Sequence, residues 1–138
     1  MLLGKKIASL AKPGDLVLLK GGLGSGKTTL VKGAGDELGV KDPVISPTFN
    51  ILKCYFKGKL PMYHIDGYRL EGQNLDIGLE EAIYGDGITF IEWPEYVAAI
   101  LPDEYLELSF EKTSDEGRKI TFTAKGKRAE EMLGGLSL

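Results

Sequence analysis

The sequence predicts an α/β fold in which a mostly parallel sheet carries helices on both faces and gains antiparallel hairpin additions. First, the apolar run Leu16–Leu19 is followed by a glycine-rich turn and the amphipathic stretch Leu30–Leu38, which is the strand–loop–helix order of such folds. Second, Ile88–Ile91 is another short apolar run, and an acid follows it. Third, two pairs of strand-like runs are joined by short polar turns, which indicates hairpins. The length fits a single domain spanning residues 1–138.

The start of the chain predicts a helix, a strand and a second helix. Residues 2–11 carry apolar side chains at helical spacing, and Pro13-Gly14-Asp15 ends that helix. Residues 16–20 are apolar except for Lys20, and this pattern favours a buried parallel strand. The next helix is expected from Lys27 to about Leu38, because Gly39 is a favoured residue just after a helix.

The middle of the chain predicts a hairpin and then a second buried strand. Residues 49–56 and 60–66 are strand-like runs joined by Lys57-Gly58-Lys59. A short helical piece is expected at residues 79–83, and residues 87–92 are predicted to form the second buried strand.

The last third of the chain predicts a short helix, a second hairpin and a terminal helix. Pro94 suits the first position of a short helix that continues to Ile100. Residues 105–112 alternate apolar and polar side chains, and residues 118–124 are expected to pair back against them. Residues 129–136 predict the terminal helix.

The stretch Gly21-Gly22-Leu23-Gly24-Ser25-Gly26-Lys27-Thr28 has the pattern of a phosphate-binding loop: Gly, four residues, then Gly-Lys-Thr. Glycines let backbone N–H groups turn inward around an anion, and the following helix points its positive end at the same phosphates. Lys27 would reach the outer phosphates, and the hydroxyl of Thr28 would bind the accompanying Mg²⁺. The strand–loop–helix context separates this pattern from an ordinary glycine-rich turn, so the sequence predicts a P-loop NTPase-like protein that binds a nucleoside triphosphate with Mg²⁺.

Two further residues are candidates for the same site. Glu92 ends a predicted parallel strand, and parallel strands deliver their C-terminal ends to the crevice of the phosphate loop, so Glu92 is the candidate metal-side acid. Thr48 lies in a loop-like segment and is either a sensor of the γ-phosphate or a capping hydroxyl beside a proline. The only histidine, His64, alternates on a predicted strand, where a lone histidine is more often a packed or edge residue than a catalyst, and both alternatives stay open.

The composition excludes several classes of function. The formal net charge of −3 gives no overall basic field that would recruit nucleic acid. Cys54 is the only cysteine, which excludes an intramolecular disulfide and a cysteine-rich metal site, and no disulfide-linked partner is expected. No apolar run approaches the roughly 18 residues of a membrane span, and residues 1–6 lack the apolar core of a signal peptide. A cytoplasmic location without membrane contact is therefore expected.

Six motifs occur together along the chain: Gly24–Thr29, Ser46–Phe49, His64–Leu70, Ile91–Pro94, Leu101–Asp103 and Gly117-Arg118. This set resembles the bacterial TsaE (YjeE) family, the P-loop ATPases of tRNA threonylcarbamoyladenosine (t6A) biosynthesis. The phosphate loop is shared by many proteins, whereas the third and fourth motifs together are specific. The resemblance covers about residues 2–124.

The resemblance implies a protein that binds ATP and Mg²⁺, hydrolyses ATP weakly alone and acts with the proteins TsaD and TsaB. It would be needed for threonylcarbamoyl transfer to adenosine 37 of certain tRNAs, and it would meet tRNA only through the complex. By the same resemblance, the magnesium ligands map onto Thr28 and Glu92, and the acid required for activity maps onto Asp66. Lys27, Asp66 and Glu92 form the expected catalytic set. The residues expected to contact the nucleotide are Leu23, Gly24, Ser25, Gly26, Lys27, Thr28, Thr29, Trp93 and Arg118.

The chain departs from the family pattern at its start. Family members usually begin with an extra strand and a threonine-containing cap that help to enclose the base, whereas here Met1-Leu2-Leu3-Gly4 lies almost inside the first predicted helix. The N-terminal strand of the family is therefore expected to be absent. Gly22 also stands where the family commonly has aspartate.

Two rival functions are a small-molecule P-loop kinase and a nucleotide-gated binding module that does not hydrolyse ATP. P-loop kinases use several lid arginines to clamp the transferred phosphoryl group. This chain has only Arg69, Arg118 and Arg128, with no arginine between residues 73 and 87. The arginine content therefore favours an ATPase whose site a partner completes.

Overall fold

The computed structural model describes residues 2–21, 26–40, 52–56, 58–67, 83–112 and 118–136. These residues form one six-stranded sheet, three α-helices and a 3₁₀ helix. The strands are β1 (Leu16–Lys20), β2 (Leu52–Tyr55), β3 (Met62–Asp66), β4 (Ile88–Glu92), β5 (Tyr105–Lys112) and β6 (Arg118–Lys125). The helices are α1 (Leu2–Leu10), α2 (Lys27–Leu38) and α3 (Lys127–Gly135), and the 3₁₀ helix is Pro94–Ile100.

The sheet has the strand order β2-β3-β4-β1-β5-β6. The four inner strands are parallel, and the edge strands β2 and β6 pair antiparallel with β3 and β5. The predicted fold class, a mostly parallel sheet with antiparallel hairpin additions, is therefore confirmed. The register places Glu92 beside Leu19 of β1 and beside Asp66 of β3. The carboxyl ends of these three neighbouring strands therefore lie together.

The two faces of the sheet are covered unequally by the described residues. Val17 and Leu19 face a core that is shared with all three α-helices. Leu16 and Leu18 point the other way, into a smaller cluster that includes Val97 of the 3₁₀ helix. Helices therefore lie on both faces, as predicted. The three α-helices pack on one face, and the 3₁₀ helix packs on the other.

Most predicted elements appear with small changes at their ends. The first hairpin is shorter than expected, since β3 begins only after Pro61, which has no N–H to donate to a ladder. The terminal helix begins at Lys127, directly after Gly126. The helical piece expected at residues 79–83 lies outside the described residues except for Ile83, which packs in the smaller cluster.

An ion pair that the sequence analysis did not anticipate ties α3 to the turn between α1 and β1. Nε and Nη2 of Arg128 each donate to a carboxylate oxygen of Asp15 at 2.9 Å, and Nη2 also donates to the carbonyl of Leu10. The backbone N–H of Lys12 donates to the same buried carboxylate at 2.7 Å. Hydrogen bonding to Asp15 raises the pKa of the Arg128 guanidinium. The pair thus holds α3 at the amino-terminal end of β1. Glu92 lies at the opposite end of the strands.

We predict that Gly4→Ala destabilises the fold because α1 packs too closely on α2 for a side chain. A Cβ at Gly4 would overlap the carbonyl oxygen of Leu30 and lie 2.9 Å from the backbone N of Ala34. Overpacking of this kind costs about 1–3 kcal/mol of unfolding free energy. Urea denaturation measures the change.

The matched control is Gly134→Ala in α3, where a Cβ would meet nothing within 4 Å. This substitution should leave stability unchanged or raise it by up to about 1 kcal/mol, because alanine is the better helix former. Equal losses in both variants would contradict the close packing of α1 on α2.

Candidate functional site

The side chain of Lys27 lies at the N-terminus of α2 and is the centre of the candidate site. Only 5% of the residue is exposed. Its Nζ donates to the backbone carbonyl of Gly21 at 2.6 Å, across the end of β1. Backbone N–H groups and the positive end of a helix converge at such a position, which favours a bound anion.

The backbone at Gly26 has the geometry that the phosphate-loop pattern predicts. Gly26 precedes α2 with φ of 104°, a left-handed conformation that L side chains rarely adopt. A cradle of backbone N–H groups needs such residues, so this conformation fits a phosphate ligand.

Glu92 ends β4, and its side chain lies between Lys27 of α2 and His64 of β3. Its carboxylate is nearly buried, with Oε1 3.9 Å from Nζ of Lys27 and Oε2 2.5 Å from Nε2 of His64. Its backbone carbonyl accepts a hydrogen bond from the N–H of Gly67 at 2.8 Å. Glu92 is therefore held at both its backbone and its side chain, with one oxygen directed at the lysine.

The electrostatic environment of Lys27 contains opposing contributions. Burial lowers the pKa of Lys27 below its ordinary value, and the carboxylates of Glu92, Asp66 and Glu95 act in the opposite direction. The desolvation effect is the largest, so a charged ammonium at this position is less stable than one in water. A further anion such as a phosphate would stabilise the charged form.

Trp93 contacts the same ammonium from another side. Nζ of Lys27 lies 4.3 Å from the centroid of the indole ring, which is within the range of a cation–π interaction. Trp93 has φ of 56°, and among the described residues it is the one non-glycine residue with a positive φ. A left-handed conformation costs a non-glycine residue about 1–3 kcal/mol. This strained turn directs the indole towards the site.

The other residues expected at the site are placed as follows. Asp66 ends β3 beside Glu92 and is buried. Thr28 is half-buried and Thr29 is exposed on the first turn of α2. The backbone of Arg118 begins β6 opposite Lys112, at the same edge of the sheet. Leu23, Gly24, Ser25 and the candidate sensor Thr48 lie outside the described residues.

His64 is the site residue that the sequence analysis missed. It is fully buried in β3, as the packed alternative expected, but it also contacts the carboxylate of Glu92, which the sequence did not predict. Spacing was the signal that could have placed His64 at the site. His64 and Asp66 are two residues apart on one strand, so their side chains share a face of the sheet.

Two oxygen donors at this end of the sheet are of the kind that Mg²⁺ takes when it binds together with a nucleotide. Across the described ranges, no cluster of three or more His, Cys, Asp or Glu side chains is arranged to hold a metal ion. Mg²⁺ commonly takes one or two protein oxygens and fills its remaining positions with phosphate oxygens and water. The hydroxyl of Thr28 and the carboxylate of Glu92 are donors of this kind.

The helices in the described part of the chain are all too short or too polar to cross a membrane.

Comparison with known proteins gives consistent matches over most of the chain. A family model described as threonylcarbamoyl adenosine biosynthesis protein TsaE matches residues 1–120. The tRNA threonylcarbamoyladenosine biosynthesis protein TsaE of Bacillus subtilis is 44% identical over 135 residues, which is 98% of this chain and 85% of that protein. The protein of the same name from Treponema pallidum is 41% identical over 120 residues, covering 86% of this chain and 88% of its own length.

A solved structure shows the same fold. The crystal structure of Bacillus subtilis YdiB matches with a TM-score of 0.86 and 40% sequence identity. The match covers 99% of this chain and 85% of the YdiB chain.

We predict that the lowered pKa of Lys27 makes the stability of the protein depend on pH. Between that lowered pKa and the ordinary value of 10.5, the unfolded chain binds more protons than the folded one. The free energy of unfolding therefore rises with pH in this window. Relative to Lys27→Met, which lacks the group, the wild-type protein should gain up to about 1.4 kcal/mol per pH unit.

Urea denaturation from about pH 8 to about pH 10 tests this dependence. The control is Lys32→Met, because Lys32 is exposed on the same helix. Its unfolding free energy should follow that of the wild-type protein across the range. Parallel profiles for the wild-type protein and Lys27→Met would contradict the effect of burial on Lys27.

Proposed function

Because the chain belongs to the TsaE family of threonylcarbamoyl adenosine biosynthesis proteins, we propose that it is a Mg²⁺-dependent ATPase that is slow alone and is activated by TsaD and TsaB. Its process is tRNA threonylcarbamoyladenosine biosynthesis, the process named for its relatives.

The observation that supports ATP binding best is the buried ammonium of Lys27 between the carbonyl of Gly21 and the carboxylate of Glu92. A buried cation is unfavourable unless it is paired. Here the pairing groups lie at the carboxyl ends of β1 and β4, next to the start of α2. Open α/β sheets bind their ligands at this end of the parallel strands. The outer phosphates of a nucleotide are the anions whose charge suits this position.

The residues would then divide the chemistry as follows. Lys27 and the backbone N–H groups of the loop would stabilise charge on the γ-phosphate during in-line attack by water. Thr28 and Glu92 would hold Mg²⁺, which when bound neutralises charge on the phosphate oxygens. Asp66, beside Glu92 on the next strand, would orient the attacking water.

The Lys27–Glu92 contact also suggests how nucleotide binding changes the site. Oε1 of Glu92 and Nζ of Lys27 are 3.9 Å apart, so the two groups form an ion pair without hydrogen-bond contact. Phosphates that bind Lys27 would replace Glu92 as its counter-ion. The carboxylate of Glu92 would then be available to the metal.

The placement of Arg128, the arginine whose side chain the structure describes, supports a slow intrinsic rate. Arg128 is bound to Asp15 at the opposite edge of the sheet, so it cannot reach the γ-phosphate. An arginine supplied in trans raises the rate of related enzymes by about 10³–10⁵. A partner protein that supplies a cation would have a comparable effect.

We predict that TsaD and TsaB together stimulate phosphate release from Mg·ATP, and that Lys27→Ala and Asp66→Asn abolish the stimulated rate. Loss of a single electrostatic contact in the transition state reduces kcat by about 10²–10³. Phosphate release is measured with and without the purified partners. Lys32→Ala, at an exposed position of α2, serves as the matched control and should retain the full rate.

The same experiment separates the rival functions. If ATP binds tightly but the partners do not stimulate hydrolysis, the chain is a nucleotide-gated module and the ATPase proposal is wrong. Phosphoryl transfer to a member of a panel of hydroxyl compounds would instead identify a small-molecule kinase.

A further inference from the structure

His64 contacts the carboxylate of the candidate metal ligand Glu92 more closely than Lys27 does. The imidazole is completely buried in β3, and its Nε2 lies 2.5 Å from Oε2 of Glu92 in β4. Its Nδ1 is also buried and has no hydrogen-bond partner among the described residues. A neutral imidazole carries one proton, so this arrangement places the proton on Nε2 and makes His64 the donor.

The two oxygens of Glu92 therefore face different groups. Oε2 accepts the hydrogen bond from His64, and Oε1 lies 3.9 Å from Nζ of Lys27. A carboxylate held through one oxygen by a buried ring has little freedom to rotate. Oε1 then stays directed at the position where the phosphates and metal would bind.

We propose that His64 is a positioning residue, which fixes the carboxylate of Glu92 in the orientation that Mg²⁺ requires. The role rests on the proposed function, since it concerns the metal of a bound nucleotide. Carboxylates that bind metals are themselves hydrogen-bonded, and loss of such a partner typically reduces metal affinity by about 10–100-fold.

The backbone contacts of Glu92 make this role separable from a contribution to the fold. The N–H of Gly67 donates to the carbonyl of Glu92, and β3 pairs with β4 along its full length. The main chain of Glu92 therefore stays in place without the imidazole. Substitution of His64 should release the carboxylate and leave the strand where it is.

The test compares His64→Gln with His64→Asn. The amide nitrogen of glutamine can occupy the position of Nε2, whereas asparagine is one methylene too short to reach it. The probe is ATP, and binding is followed by the fluorescence of Trp93, the only tryptophan, whose ring lies beside Lys27. Each protein is titrated with ATP in EDTA and then with Mg²⁺ at saturating ATP.

We expect His64→Asn to bind ATP in EDTA as the wild-type protein does, but to need about 10–100-fold more Mg²⁺ for half-saturation. His64→Gln should recover most of this loss. An unchanged Mg²⁺ requirement in His64→Asn, or equal losses in the two variants, would overturn the positioning role while the wild-type titration leaves the proposed function intact. If the wild-type protein binds no ATP, the proposed function fails and the positioning role fails with it.

A measurement on the wild-type protein decides the matter if either variant unfolds. Because His64 is the only histidine, ¹⁵N-labelled histidine gives one imidazole spectrum. Addition of Mg²⁺ to the ATP-bound protein should shift the Nε2 resonance, since the metal withdraws charge from the carboxylate that accepts the hydrogen bond of Nε2–H. A resonance that ignores Mg²⁺ would overturn the proposal.

Discussion

The buried ammonium of Lys27 is the interaction on which the arrangement of the site depends. It needs counter-charges and hydrogen-bond acceptors from separate parts of the chain, because burial opposes its charge. The end of β1 supplies the carbonyl of Gly21, and the end of β4 supplies Glu92. Both groups reach the lysine only because β1 and β4 are parallel neighbours in register, so the order of strands in the sheet and the chemistry of the site are linked.

Several features of the site oppose stability and are explained better by function. A lysine whose pKa is lowered by burial and a tryptophan in a left-handed conformation are both unfavourable in the folded chain. Nζ of the lysine lies 4.3 Å from the centroid of the tryptophan ring. The rest of the fold offsets these costs through a core shared by three helices and the sheet, and through the Arg128–Asp15 pair at the opposite edge. The unfavourable features are thus concentrated where a ligand would relieve them.

The sequence predicted most strands and helices, and it marked Lys27 and Glu92 as candidates for one site, because both kinds of feature leave local patterns. The phosphate loop, the apolar run ending at Glu92 and the alternation in β5 each depend on neighbouring residues. The contact of His64 with Glu92 joins residues 28 positions apart, and that of Arg128 with Asp15 joins residues 113 positions apart. Such contacts depend on strand order and register, which periodicity alone does not determine. The left-handed turn at Trp93 also has no sequence signal, since it requires no glycine.

The charge balance of the described site explains why it would need both a metal and a partner. Lys27 is the cation at its centre, whereas Glu92, Asp66 and Glu95 all lie close enough to influence its pKa. Glu95 is exposed and its charge is screened by water, but Glu92 and Asp66 are buried. A triphosphate would add further negative charge to a site where acids already outnumber the described cations. Mg²⁺ would offset part of this excess, and His64 would hold Glu92 ready to share the ion. Among the described residues, Lys27 would be the cation that faces the charge developing on the γ-phosphate, and a partner protein would supply a second one.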